Sequence, residues 1–192
     1  MSKLLISLLA GAGIAFAAAA GAAPIAKDAY NAEKDRIAAA YKADKDACSK
    51  LSGNAKDVCV EEAKAKEKIA NADNEAALKD TEPARYDARV ARAEANYAVA
   101  KEKCDDLSGN AKDVCVKEAK AAEVKAKADA KIAHVSSDAN QVAAMRKDDV
   151  RRDATQDKRD ADYKVAVEKC DALSGAAKSS CVQDAKARFG KS

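Results

Sequence analysis

The hydrophobic and polar positions follow a heptad pattern that is clearest in the middle of the chain. The apolar positions there alternate in steps of four and three residues: Tyr86, Val90, Ala93, Tyr97, Ala100, Cys104 and Leu107. This spacing places them on one side of a helix, as in the seam of a coiled coil. The seam recurs earlier in the chain at Tyr30, Ile37, Tyr41, Cys48 and Leu51, where Lys34 and Asp44 interrupt it. The pattern therefore predicts long amphipathic helices.

The last third of the chain keeps only part of this seam. Its apolar positions are Tyr163, Ala166, Cys170 and Leu173. The corresponding positions upstream are polar: Asp149, Arg152, Gln156 and Arg159. Without an apolar stripe a helix has nothing to bury. We therefore expect residues 146–162 to form a solvated helix or a mobile link.

A repeated segment interrupts the helical pattern three times. Its copies read CSKLSGNAKDVC (48–59), CDDLSGNAKDVC (104–115) and CDALSGAAKSSC (170–181). Glycine suits the left-handed residue that ends a helix, which assigns this role to Gly53, Gly109 and Gly175. Asparagine is a common N-cap, so Asn54 and Asn110 are predicted to cap the helices that follow. Thr81 and Pro83 indicate another helix start.

These breaks predict an all-α protein of three tandem antiparallel helical hairpins, extended and coiled-coil-like. Repeat 1 covers residues 23–80 and repeat 2 covers residues 81–135. Repeat 3, with a charged helical lead-in, covers residues 136–192. How the hairpins pack on one another, and whether seams pair within or between chains, is left open by the spacing.

The six cysteines lie in pairs that are symmetric about the Leu-Ser-Gly turns. In an antiparallel helix pair, residues equidistant from the turn lie at the same level, close enough for a disulfide. We therefore predict the bridges Cys48–Cys59, Cys104–Cys115 and Cys170–Cys181. Two readings remain beside this one: reduced C-x10-C pairs that bind a metal, and a redox role. His134 is the only imidazole, and the C-x-x-C spacing of thiol oxidoreductases is missing.

The N-terminus resembles a secretory signal peptide. Lys3 precedes an apolar run over residues 4–20 that ends in small residues. Residues 1–22 form the predicted signal, with cleavage between Ala22 and Ala23; the alternatives are cleavage after Ala20 and an uncleaved anchor. Export to an oxidising compartment favours disulfides. We expect a periplasmic protein with no stable membrane span after cleavage.

Composition excludes several functions. The chain has 35 Lys and Arg against 32 Asp and Glu, a net charge of +3, which argues against nucleic acid as a partner. Leu, Ile, Val and Phe are scarce, so thin helical packing is expected in place of a large core. No nucleophile–base arrangement or phosphate-binding loop is recognisable. We predict no enzymatic activity, no catalytic or metal-binding residues and no cofactor.

The signal peptide, the Ala/Lys-rich helices and the repeated C-x2-LSGNAKDVCV-x-EAKA segment together resemble small exported proteobacterial proteins. Such proteins often carry the name "cell envelope biogenesis protein TolA", and the likeness to TolA is confined to the composition of its helical stalk. The resemblance implies a structural or interaction role in the cell envelope, with an envelope protein or cell-wall component as partner and self-association open. The alternative is a soluble, chaperone-like periplasmic binder of proteins or cell-wall polymers; the least favoured function is a disulfide redox protein.

Overall fold

The computed structural model describes residues 24–137 and 143–191, and within these ranges all of the regular secondary structure is helical. The helices are α1 (Lys27–Cys48), α2 (Gly53–Lys79), α3 (Glu82–Lys103), α4 (Gly109–Ser137), α5 (Ala143–Cys170) and α6 (Gly175–Phe189). One turn of 3₁₀ helix, Cys104–Asp106, follows α3. The prediction of an all-α protein with disulfide-stapled hairpins is confirmed. The predicted signal peptide and its junction at Ala22 and Ala23 lie outside the described residues.

The helices form a row in which each packs extensively on its neighbours along the chain. The burial pattern explains this arrangement, because α2, α3 and α4 bury residues two positions apart. Such residues point about 200° apart on a helix, so each pair faces two neighbours on nearly opposite sides. In α2, the side-chain Nδ2 of Asn74 donates to the Tyr30 carbonyl of α1, whereas Ala76 packs against Ala84 and Ala88 of α3.

The interfaces between helices are lined by alanine. Apart from Ile37 and the first cysteine of each disulfide, every buried apolar residue among those described is an alanine. The five tyrosines of the predicted seams are only half-buried, so they lie at the rims of the interfaces and not in a core. Alanine lets helix axes approach closely, toward the short end of the usual range of about 8–10 Å. The chain thus replaces a central core with five thin interfaces.

The predicted hairpins are not separate bodies. Contacts between α2 and α3, and between α4 and α5, are more extensive than those between the helices of each stapled pair. The connection from α2 to α3 is tight: Asp80 is left-handed at φ 46°, and the Thr81 side chain accepts a hydrogen bond from the Ala84 amide at 3.4 Å. Thr81 is therefore the N-cap of α3, as predicted.

Helix α5 decides between the two alternatives for residues 146–162: the segment is a helix with an exposed polar stripe, and it also makes a packing contact that was not predicted. It is a continuous helix that packs on α4 through Ala154 and Ala161. The polar seam positions are indeed exposed, but they face the other side of α5, toward α6. Helix α6 has only 15 residues, against 27 in α2 and 29 in α4, and Lys191 just beyond it pairs with Asp160 at 2.6 Å. The polar stripe is therefore the part of α5 that α6 is too short to cover.

Candidate functional site

The three predicted disulfides are present and join the arms of each hairpin. The Cα atoms are 5.6 Å apart in Cys48–Cys59 and 5.7 Å apart in both Cys104–Cys115 and Cys170–Cys181. In each bridge the first cysteine is at most 1% exposed, and the second is half-buried. The local pairing inferred from symmetry about the turn is confirmed. Because the sulfur atoms are joined in disulfides, they are not available as thiolate ligands for a metal ion.

The predicted cap residues occupy different positions from those expected. Gly53, Gly109 and Gly175 have φ angles of 57°, 56° and 57°, so the left-handed conformation is confirmed. Each, however, begins the following helix and does not end the preceding one. Because Ser52 has the extended conformation just before α2, it occupies the N-cap position assigned to Asn54, which is the second residue of α2.

Asn110 has a role that the sequence did not indicate. It is the second residue of α4, and its side-chain Nδ2 donates to the backbone carbonyl of Glu168 in α5 at 3.1 Å. A residue predicted to cap a helix thus joins hairpin 2 to hairpin 3. The signal was missing from the sequence because the contact spans 58 positions and depends on α4 packing against α5.

The leucines of the turns are also placed differently from the expectation. The heptad pattern assigned Leu51, Leu107 and Leu173 to the buried seam, yet they are 44%, 43% and 44% exposed. The reason is that α1 and α5 end at the first cysteine and α3 ends one residue before it, so the period of an α-helix no longer applies at the leucine. Because neighbouring helices run in opposite directions, the α1–α2, α3–α4 and α5–α6 turns all lie at the same end of the helices. The three leucines therefore lie at that end.

A chain of ion pairs crosses three helices. The Glu94 carboxylate of α3 accepts a hydrogen bond from Lys68 of α2 at 2.7 Å and one from Lys127 of α4 at 2.9 Å. Lys127 also pairs with Glu123 at 2.9 Å, and Glu123 accepts a hydrogen bond from Lys120 at 2.6 Å. This charge ladder links α2, α3 and α4, whose buried apolar residues are alanines.

Neighbouring lysines lower the pKa of both acids in the charge ladder. The hydrogen bonds from Lys68 and then Lys127 lower the pKa of Glu94 to about 2. Burial by itself would raise the pKa of Glu123, but hydrogen bonds from Lys120 and Lys127 outweigh it and the pKa is lowered. Both carboxylates are therefore ionised at neutral pH and act as fixed acceptors. Neither has the raised pKa of a general acid.

The single histidine belongs to a second polar cluster, which lies at the opposite end of α3 and α4 from their disulfide-bridged turn. The ring of His134 lies 5.0 Å from that of Tyr86, centroid to centroid, and its Nδ1 is 3.8 Å from a carboxylate oxygen of Glu82. Burial would raise the pKa of Glu82, but the ion pairs with Arg85 and Arg89 prevail and lower it. This cluster fastens the start of α3 to the last turns of α4.

The cavities are open grooves between neighbouring helices. One of them measures about 580 Å³ and lies between α1 and α2. Ile25, Ala70 and Ala77 supply its apolar surface, and Glu33 and Arg36 at its wall form an ion pair with each other. Asp73 of the same groove pairs with Arg92 at 2.6 Å, so the charged side chains described at this groove are already engaged with one another or with α3.

Among residues 24–137 and 143–191, no group of three or more His, Cys, Asp or Glu could hold a metal ion. No helix in this part of the chain is long and apolar enough to cross a membrane. No family model matches the sequence, and comparison with curated proteins and with solved structures found no similar protein. The stapled turns and the charge ladder therefore stand as the candidate features on their own geometry.

Proposed function

We propose that the chain is an exported, non-enzymatic periplasmic protein with a structural or interaction role in the cell envelope. The observation that carries the proposal is the set of three disulfides. They staple every hairpin of a protein whose interfaces are otherwise lined by alanine. Such bridges persist in oxidising compartments and are rare in the cytosol.

The shape of the protein supports an interaction role. A row of helices has two broad sides open to solvent, and here ion pairs join neighbouring helices along the row. The charge ladder joins α2 to α4, and further pairs link α4 to α5, such as Lys125–Asp162 at 2.5 Å and Glu118–Lys169 at 2.6 Å. Pairs that tie neighbouring helices together favour one fixed arrangement, so the row can hold partners at defined distances.

Thiol trapping in cells tests the compartment. Cells expressing the full chain are quenched with acid to preserve the thiol state, and the denatured protein is treated with a maleimide polymer, with and without prior reduction. We expect modification of six cysteines only after reduction. A variant that lacks residues 2–22 is the matched control and should be modified without reductant, because the cytosol keeps thiols reduced. Free thiols in the full-length chain would contradict export.

Photo-crosslinking in cells tests the interaction role. A photoreactive residue placed at exposed positions on each broad side should yield a small number of defined adducts with envelope proteins or cell-wall fragments. Adducts with many unrelated proteins, together with suppression of aggregation of an unfolded client, would instead favour the chaperone-like alternative. Turnover of a substrate by the purified protein would contradict the non-enzymatic role.

A further inference from the structure

The three disulfides have the same local geometry but different surroundings. The middle and third bridges match most closely, since each joins cysteines 11 positions apart whose Cα atoms are separated by 5.7 Å. Their turns also carry the same ion pair, Asp105–Lys112 at 2.9 Å in the middle turn and Asp171–Lys178 at 3.0 Å in the third. Loop length and local charge therefore do not distinguish these two bridges.

What distinguishes them is the packing of the helix that follows the turn. Helix α4 packs extensively on both α3 and α5, whereas the only extensive contacts of α6 are with α5. Asn110 at the start of α4 also donates to the Glu168 carbonyl of α5. The same position of the third copy is Ala176, whose side chain has no donor. Helix α4 is therefore held from two sides and α6 from one.

Helix α6 makes few contacts besides its disulfide. Its only buried residue is Ala185. The Phe189 ring meets the Tyr163 ring of α5 edge-on, with the centroids 6.2 Å apart, and Lys191 just beyond the helix pairs with Asp160 at 2.6 Å. An exposed ion pair of this kind contributes little to stability, typically about 0–1 kcal/mol. The disulfide is therefore the main restraint on α6.

Helix α1 lies at the other edge of the row and is held more firmly. Its contacts with α2 are more extensive than those of α6 with α5, and it buries Ile37. Two hydrogen bonds fix its first turn, since the Tyr30 hydroxyl donates to Glu75 at 2.9 Å and Asn74 donates to the Tyr30 carbonyl at 3.0 Å. These contacts hold α1 against α2 whether or not the first bridge is closed.

The reduction of a disulfide depends on what the fold does with the two thiols afterwards. Where packing keeps the thiols side by side, the reduced pair readily closes again and the bridge resists reduction. Where one arm leaves, the open state removes the reduced pair from that equilibrium and the bridge is easier to reduce. Packing on two sides keeps Cys115 beside Cys104, whereas nothing comparable keeps Cys181 beside Cys170.

We propose that the Cys170–Cys181 bridge is a redox-sensitive switch for α6. A dithiol reductant opens this bridge before the other two, and α6 then separates from α5 while the first two hairpins stay closed. The chain is the substrate of this thiol exchange and not its catalyst. The inference goes beyond the proposed envelope role and depends on it only for the compartment in which the chain meets a reductant.

The exposure of the two cysteines sets the direction of the exchange. Cys170 is 1% exposed and Cys181 is half-buried, so a thiolate of the reductant attacks the Cys181 sulfur, and Cys170 leaves as a thiolate that takes up a proton. The second thiol of the reductant then attacks the mixed disulfide and releases Cys181 as a thiol. Two electrons and two protons pass to the bridge, and the reductant becomes a disulfide.

Graded reduction of the purified, oxidised chain tests the switch. The chain is equilibrated with mixtures of reduced and oxidised dithiothreitol and quenched in acid, and differential alkylation with mass spectrometry gives the reduced fraction of each bridge. The third bridge should have a reduction equilibrium constant at least about tenfold larger than the middle bridge, or about 30 mV. The middle bridge is the matched control in the same molecule. Equal constants, or earlier reduction of the first or middle bridge, overturn the proposal.

Hydrogen exchange tests whether the bridge and the helix open together. In the mixture that reduces the third bridge alone, peptides from residues 175–189 should lose protection while those from α1 to α4 keep it. Protection of α6 that survives reduction of its bridge contradicts the switch. These measurements use purified protein, so their outcome is independent of the thiol trapping that tests export.

A pair of variants tests the link between helix packing and reduction. Phe189→Ala removes the ring contact with Tyr163 and should make the third bridge easier still to reduce, without a change in the middle bridge. Leu173→Ala is the matched control, because this leucine lies next to the same bridge but is 44% exposed; it should change neither. An equal shift in the two variants, or no shift in Phe189→Ala, overturns the proposed link.

Discussion

The dependence of α6 on its disulfide is the sharpest consequence of the row. Helix α6 is the shortest helix and has one neighbour, α5. Its only buried residue is Ala185. Replacing Cys170 and Cys181 by alanine should therefore release α6 while leaving the remaining helices packed.

The magnitude follows from the loop that the bridge closes. The two cysteines are 11 residues apart, and a loop of about 12 residues reduces the entropy of the unfolded segment by about 9.5 cal/mol/K in the chain-entropy model, or about 2.8 kcal/mol near 25 °C. Because about 1.4 kcal/mol is a factor of ten in an equilibrium constant, the open state of α6 should become about a hundredfold more populated.

Hydrogen exchange followed by mass spectrometry measures this opening directly. Peptides from residues 175–189 should exchange about a hundredfold faster in the variant when opening limits exchange. Peptides from α1, α2 and α3 should keep their wild-type rates. The matched control removes the middle bridge by replacing Cys104 and Cys115 with alanine.

The control has the same loop length and an equally buried first cysteine, so the two variants differ chiefly in location. Helices α3 and α4 each have a second neighbour, which should spread the loss over the whole row and leave no single helix free. The reasoning is refuted if α6 keeps its protection without its bridge, or if α4 opens alone in the control.

Three further substitutions test the charge ladder, the turns and the alanine interfaces. Glu94→Gln should lower the free energy of unfolding by about 1 kcal/mol at neutral pH, because it removes two exposed ion pairs. The pKa of Glu94 falls from 4.5 to about 2 on folding, so this stabilisation is present above pH 4.5 and is lost as the pH falls toward 2. The unfolding free energies of the two proteins in urea should therefore converge near pH 2, and a difference that persists there would contradict the assignment. Gly109→Ala should lower the free energy of unfolding by about 1–2 kcal/mol because its backbone is left-handed; a steric clash does not contribute, since no atom lies within 4 Å of an added Cβ. Gly109→Asn should lower it less. Equal losses for the two variants in urea unfolding would argue against the conformational cause. Ala88→Leu at the buried α2–α3 interface should lower the free energy of unfolding by about 1–3 kcal/mol through overpacking. Ala39→Leu, at an exposed position of α1, is the control and should not lower it. An equal effect of the two substitutions in thermal unfolding would show that the alanine interface is not closely packed.

The sequence predicted features that depend on residues near one another in the chain. The cysteine pairs are symmetric about a turn, and a hairpin brings such residues together whatever surrounds it. Thr81 capped its helix as expected because its hydrogen bond reaches only to Ala84. The left-handed glycines followed from their lack of a Cβ.

The heptad pattern identified one packed side of α3 and missed the other. Large apolar residues mark the side that carries the tyrosines, whereas the second packed side is alanine, as at Ala84 and Ala88. Alanine is also the residue most favourable to any helix, so its presence alone does not separate a buried interface from an exposed surface. The leucines of the turns were misplaced because the period was extended beyond the end of the helix.

The sequence by itself thus determined the helices, the turns and the disulfides, since each rests on backbone preference or on symmetry across a short loop. The tertiary structure decided that the hairpins join into one row, that Asn110 binds the backbone of α5 and that Glu94 connects two lysines from different helices. These contacts join residues 26–58 positions apart. The residues involved are small or charged and do not form a periodic pattern in the sequence. Their contacts are therefore determined only when the helices pack side by side.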